Sequence, residues 1–126
     1  MDTLSIKETH KTPGIRCDGA KGVIEIKGRS IPENSVEFYK PLLAWVEEYA
    51  KQPFAETLVY IHLSYFNTSS SYCLLHLFRQ LDKIYSAVGG VTVHWFYEQE
   101  DYELLFAGED YESIFSYPFK MIEVSA

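Results

Sequence analysis

Apolar positions in this chain change period at one junction. From Leu58 to Phe66 only His62 and Ser64 are polar, and the remainder is β-branched, aliphatic or aromatic, as in a strand covered on both faces. From Tyr72 onward the apolar residues recur as Leu74, Leu77/Phe78, Leu81, Ile84/Tyr85 and Val88, which is one face of a helix. Between the two runs stands Asn67-Thr68-Ser69-Ser70-Ser71. A hydroxyl-rich helix start is therefore predicted at the carboxyl end of a central strand, the place where ligands and modifications act in open α/β sheets. Amides of a first helical turn lack intrahelical partners and carry the positive end of the helix dipole, so they accommodate an anion or a phosphoryl group. Thr68 is the leading candidate to carry one. The same residues also fit a plain N-cap, for which Asn, Ser and Thr are preferred, although a run of four hydroxyl side chains exceeds what one cap needs.

The other elements follow from the same patterns. Leu4 to His10 is a short edge strand or extended arm. Ile15 to Cys17 and Val23 to Lys27 flank Asp18-Gly19-Ala20-Lys21-Gly22 and form a β-hairpin, whose second strand ends at Gly28-Arg29-Ser30. In Pro32-Glu33-Asn34-Ser35-Val36-Glu37, Asn34 and Glu37 are spaced as a capping box, with Ser30 and Glu33 as a rival box one turn earlier. Val36, Tyr39, Leu42/Leu43, Val46 and Tyr49/Ala50 then recur at helical spacing. Pro41 falls inside this pattern and predicts a kink, or a helix whose regular part starts near Tyr39. Gly89-Gly90 caps the long second helix, and Val91 to Tyr97 is a β-branched and aromatic strand. Glu98 to Asp101 opens a third helix that Gly108 ends, with a short helical turn between Glu109 and Phe115. Pro118 to Val124 is the last strand, at an edge because of Pro118. Strands separated by helices make parallel pairs through right-handed crossovers, and the hairpin adds antiparallel ones. The expected fold is α/β, a single mixed sheet with helices packed on it, in one domain over residues 1–126.

Composition narrows the function. Hydrophobic residues make up 47% of the 126 residues, including ten Tyr and eight Phe, which excludes a disordered chain. A formal charge of −7 argues against non-specific nucleic-acid binding, which needs a basic surface, and suits a basic protein partner. Cys17 and Cys73 lie far apart with no CxxC or Cys/His cluster, so both read as buried thiols in a reducing compartment. No signal peptide or membrane span is discernible, and the expected location is cytoplasmic.

Chemistry beyond the junction is sparse. No GxxxxGK[ST] or GxGxxG occurs, and His10, His62, His76 and His94 lack any ligand spacing, so no cofactor or metal is expected. His62 and His94 lie within strands and share a sheet face; His76 is on the solvated side of its helix. Glu47-Glu48, Glu98/Glu100/Asp101 and Glu109-Asp110-Glu112 have no framing motif and read as solvated faces. Ser69 and Ser70 lack the glycines of a nucleophile elbow. A catalytic residue is not expected.

Pro32-Glu33-Asn34-Ser35, Tyr65-Phe66-Asn67-Thr68-Ser69-Ser70, Val93-His94-Trp95-Phe96-Tyr97 and Ser116-Tyr117-Pro118-Phe119, in this order and at these intervals, resemble the SiaC family of bacterial regulatory phosphoproteins, over nearly the whole chain. The resemblance implies a fold related to STAS-type anti-sigma-factor antagonists and a switch protein without catalysis of its own. It implies that Thr68 is phosphorylated by a dedicated protein kinase and released by a PP2C-type phosphatase. The unphosphorylated form would bind and activate a diguanylate cyclase, raising cyclic di-GMP and favouring biofilm growth. Asn67, Ser69 and Ser70, with Glu33, Asn34 and Ser35, are the expected partner-binding neighbours. The competing reading is a small STAS-like domain that binds a nucleotide or lipid at the same helix end.

Overall fold

Strands and helices alternate in a computed structural model that describes residues 2–125. In chain order they are β1 (Leu4–Ile6), β2 (Gly14–Asp18), β3 (Val23–Ser30), α1 (Ser35–Tyr49), β4 (Thr57–Phe66), α2 (Thr68–Val88), β5 (Val91–Glu98), α3 (Tyr102–Ile114) and β6 (Phe119–Val124). The sheet order is simply β1-β2-β3-β4-β5-β6. The first three strands pair antiparallel and β3 to β6 pair parallel, so the α/β mixed sheet is as expected and β6 is an edge.

The unbroken order has a consequence for the layers. Each of α1, α2 and α3 joins a parallel strand to its next neighbour, always in the same direction, and right-handed crossovers then put all three helices on one face. Burial agrees. Ile24 and Ile26, Val59, Ile61 and Leu63, and Val91, Val93 and Trp95 are sealed beneath Leu42, Val46, Leu74, Leu77, Phe78 and Leu81 of the helices. The alternate residues Glu25, Tyr60, His62, His94 and Phe96 are only half-buried. β4 is thus covered on one face, not two. Its apolar run misled because the open face is closed by aromatic pairs across strands: Tyr60 stacks on His94 at 4.6 Å and His62 tilts against Phe96 at 5.6 Å.

Two helices differ from their expected bounds. α1 is regular from Ser35, and Asn34 wins as N-cap by accepting the Glu37 N–H at 3.2 Å. Pro41 lies inside α1 on its exposed side, where the ring meets solvent. α3 runs on through Gly108 to Ile114 instead of stopping. Gly108 is there for close approach: a Cβ would lie 2.5 Å from Cδ1 of Trp95, whose Nε1 donates to the Leu104 carbonyl at 2.9 Å. Cys17 and Cys73 are both buried and free, and burial pushes the Cys17 thiol up to about 12.

Candidate functional site

The amino end of α2 is assembled from four separate pieces of chain. It begins with a bulge in the β3–β4 pairing: Gly28 stands opposite Leu63 but Arg29 opposite Tyr65, leaving Ser64 unmatched. Beyond the bulge Ser30 is fully buried rather than solvated. Its Oγ lies 2.5 Å from the Tyr39 hydroxyl of α1 and 2.7 Å from Ser70 Oγ of α2. Ser70 Oγ donates to the Ser30 carbonyl at 3.1 Å and lies 3.4 Å from Ser35 Oγ. Ser35 Oγ in turn lies 2.7 Å from Ser69 Oγ, which donates to Asn67 Oδ1 at 3.2 Å.

One proton arrangement satisfies the whole chain. Tyr39 donates to Ser30, Ser30 to Ser70 and Ser70 to the Ser30 carbonyl, while Ser35 donates to Ser69 and Ser69 to Asn67. It requires a neutral Tyr39, and burial supplies one by pushing the phenol up to about 12, against the opposing effect of the Ser30 hydrogen bond. Asn67 completes the cap. Its Oδ1 accepts the Ser70 N–H at 2.9 Å and its own N–H donates to the Ser30 carbonyl at 3.0 Å. The Asn67 carbonyl accepts from Ser71 N–H at 3.1 Å, so the remaining first-turn amides are those of Thr68 and Ser69, both on exposed residues.

Thr68 stands at the first helical position with its residue exposed, and no carboxylate occupies the first turn of α2. Around it Tyr65, Tyr72 and Val36 are 54%, 68% and 70% exposed, an apolar rim on the same end of the molecule. Ser35–Ser69 contact brings the Glu33-Asn34-Ser35 turn alongside the Asn67 to Ser70 segment, although the two lie far apart in sequence. Glu33, Asn34 and Ser69 are exposed and Asn67 is half-buried. Ser35 and Ser70 are 4% and 0% exposed and hold the scaffold from beneath. Ser30 and Tyr39 belong to the same cluster. Strand alternation places Ser30 on the face of Ile24 and Ile26, beneath the helices, although a serine at a strand end reads as a solvated cap.

His62 and His94 occupy the far face of the sheet, bonded to Glu98 at 3.4 Å and to the Val59 carbonyl at 3.2 Å. Among the described residues no cluster of His, Cys, Asp and Glu could hold a metal ion, and no helix is long and apolar enough to cross a membrane. The strand order never reverses, so the sheet has no topological switch point.

These features define a two-layer α/β protein whose second helix begins on an uncharged start held from beneath, with Thr68 and Ser69 exposed on it. The chain belongs to the SiaC family of regulatory phosphoproteins, whose family model matches residues 6–124. It is similar to SiaC of Pseudomonas aeruginosa, with a TM-score of 0.90 and 28% identity over 98% of this chain and 100% of that one. It is equally similar, with a TM-score of 0.90 and 26% identity over 96% and 99%, to SiaC in the crystal structure of the diguanylate cyclase SiaD in complex with its activator SiaC, from Pseudomonas aeruginosa. An uncharacterised protein of Pseudomonas aeruginosa strain UCBPP-PA14 is 28% identical over 119 residues, 94% of each chain.

Proposed function

We propose that this chain is a phosphorylation-controlled activator of a diguanylate cyclase. A protein kinase phosphorylates Thr68, a PP2C-type phosphatase releases it, and the unphosphorylated form binds and activates the cyclase. The observation that carries this reading is the exposed Thr68 on an otherwise immobilised helix start, in a chain as close in fold to the cyclase activator SiaC as a TM-score of 0.90 implies. Asn67, Ser69, Glu33 and Asn34 make the polar part of the docking surface, and Val36, Tyr65 and Tyr72 its apolar part.

The switch is electrostatic. A phosphothreonine brings about −1.5 to −2 charge at neutral pH. Within the chain the helix dipole tolerates that charge, with a gain of about 0.3–1 kcal/mol. A partner seated on the rim instead meets a bulky dianion that it must desolvate, and a loss of about 2.8 kcal/mol weakens binding a hundredfold. The direct test is cyclic di-GMP synthesis by the cyclase of the same genome, with wild-type, Thr68→Ala and kinase-treated protein added. Wild-type and Thr68→Ala protein should stimulate it and the phosphorylated protein should not. Phosphate transfer to the Thr68→Ala variant by the cognate kinase would refute the assignment to Thr68.

A further inference from the structure

Along α2, Thr68, Tyr72, His76, Arg79 and Lys83 form one exposed stripe at helical spacing. From Tyr72 to Lys83 this stripe walls a groove of about 860 Å³, whose opposite wall is Glu47, Ala50 and Lys51 at the end of α1, with Leu75 and Gln80 between. The groove spans about 16 Å at about 1.5 Å per residue, the length of three helical turns.

Its charge runs against that of the molecule. The chain carries −7, yet Lys51, Arg79 and Lys83 line the groove against Glu47 alone. Lys51 is already held by Glu48 at 2.8 Å. Among the described residues Arg79 and Lys83 have no carboxylate within ion-pair distance. Between the walls Ala50 and Leu75 are half-buried, and Tyr72 is 68% exposed at the upper end. Gln80, between the walls, is fixed to α1 by its Nε2, which donates to the Leu43 carbonyl at 3.1 Å.

We propose that this groove receives an acidic amphipathic helix of a partner protein. Apolar side chains of that helix pack on Leu75, Ala50 and the Tyr72 ring, and its carboxylates meet Arg79 and Lys83. Two parallel helices lying on a sheet offer a furrow that a third helix fills by ordinary ridge-into-groove packing. A nucleic-acid strand fits less well, since it needs a longer track of cations and would pass a protein of net negative charge. The groove stands on its own observations. Its coupling to Thr68 rests on the phosphorylation reading above: a phosphate one turn above Tyr72 adds like charge at the mouth of the groove.

The test uses the full chain and a fluorescein-labelled model helix with Leu on one face and Glu on the other, beside a counterpart with Lys in place of every Glu. Fluorescence anisotropy should show binding of the acidic peptide only. Arg79→Glu/Lys83→Glu should weaken it at least about tenfold, about 1.4 kcal/mol, whereas Lys120→Glu on the exposed side of β6 should not. Arg79→Gln/Lys83→Gln serves if the reversed pair fails to fold, and should weaken binding in the same direction. Amide exchange of the complex should slow at residues 72–83. No binding, equal binding of both peptides, indifference to the charge changes, or tighter binding of a single-stranded oligonucleotide would overturn the proposal. None of these readouts depends on the cyclase, so their failure leaves the cyclase assay standing, and the reverse.

Discussion

The amino ends of α2 and α3 use the same kind of cap and are otherwise opposites. In each, a short polar side chain accepts the N–H three residues on: Asn67 from Ser70 at 2.9 Å, Asp101 from Leu104 at 3.1 Å. At α3 the cap is itself a carboxylate and Glu103 adds another, so the dipole is already met by negative charge. At α2 the cap is neutral and the first turn has no acid. The anchoring differs too. α3 is held by one aromatic side chain, the Trp95 indole, which packs over Gly108 at mid-helix and donates to the Leu104 carbonyl, while α2 is held by a chain of hydroxyls reaching into β3 and α1. A helix start secured by directional hydrogen bonds and left without charge keeps its geometry when charge is added.

The largest effect should come from breaking the seat of α3 on Trp95. Gly108→Val puts methyl groups where the Trp95 ring lies, since even a Cβ would be 2.6 Å from its Nε1. Overpacking of this kind costs about 1–3 kcal/mol, occasionally more, read as a lower urea midpoint at unchanged slope. Wild-type stability for Gly108→Val would mean that α3 is not anchored by this contact.

Next in size is the hydroxyl chain. Ser70→Ala leaves the buried Ser30 hydroxyl without its acceptor and should cost about 1–3 kcal/mol, the penalty of an unmet polar group. Combined with Tyr39→Phe the losses should fall short of additive, because both remove a neighbour of Ser30. Tyr39 also gives the cluster a pH limit. Its folded pKa is raised from 10.0 to about 12, so the unfolded chain releases the proton first. That stabilisation is whole below pH 10 and is lost as pH rises towards 12; the buried Cys17 thiol, raised from 9.0, adds to the decline from pH 9. Denaturant midpoints across this range should fall, and less steeply for Tyr39→Phe.

Much of this was legible from residue patterns, for identifiable reasons. The strand-to-helix handover at Asn67 shows because a near-continuous apolar run gives way to a 3.6-residue spacing there, and Gly89, at φ +73, caps α2 where a glycine pair was expected to. Gly108 was misread since a glycine is a helix stop by default, and only the position of Trp95, brought from β5, makes it a contact residue. The burial of Ser70 was illegible for a similar reason. Thr68, Ser69 and Ser70 are alike in sequence, and the position of the buried Ser30 on β3 decides which of them has a buried partner waiting. Ser64 and Tyr65 point the same lesson from the other strand, as both are exposed within a run that looked fully covered.

Smaller effects separate the two caps by charge. Asn67→Ala and Asp101→Ala should each cost about 1 kcal/mol, as lost caps do. Charge exchange is the sharper comparison. Asn67→Asp adds a carboxylate to an empty dipole and should stabilise by about 0.3–1 kcal/mol at low salt, whereas Asp101→Asn should lose a similar amount. Equal responses at the two ends would remove the distinction between them.

The smallest shift in stability is the most informative for function. If α2 starts uncharged on a rigid base, phosphate on Thr68 should raise the unfolding midpoint slightly, by about 0.3–1 kcal/mol at low salt, and the gain should shrink as salt screens it. Far-ultraviolet circular dichroism should be unchanged, because Asn67, Ser69 and Ser70 keep their bonds beneath the modified residue. Cyclase stimulation by the same sample should drop about a hundredfold in apparent affinity if docking loses about 2.8 kcal/mol. A phosphorylated protein that unfolds more easily would place the switch inside the chain, as a melted helix start. One that is as stable as before yet inactive places it at the docking surface, since the only thing changed is the charge a partner meets there.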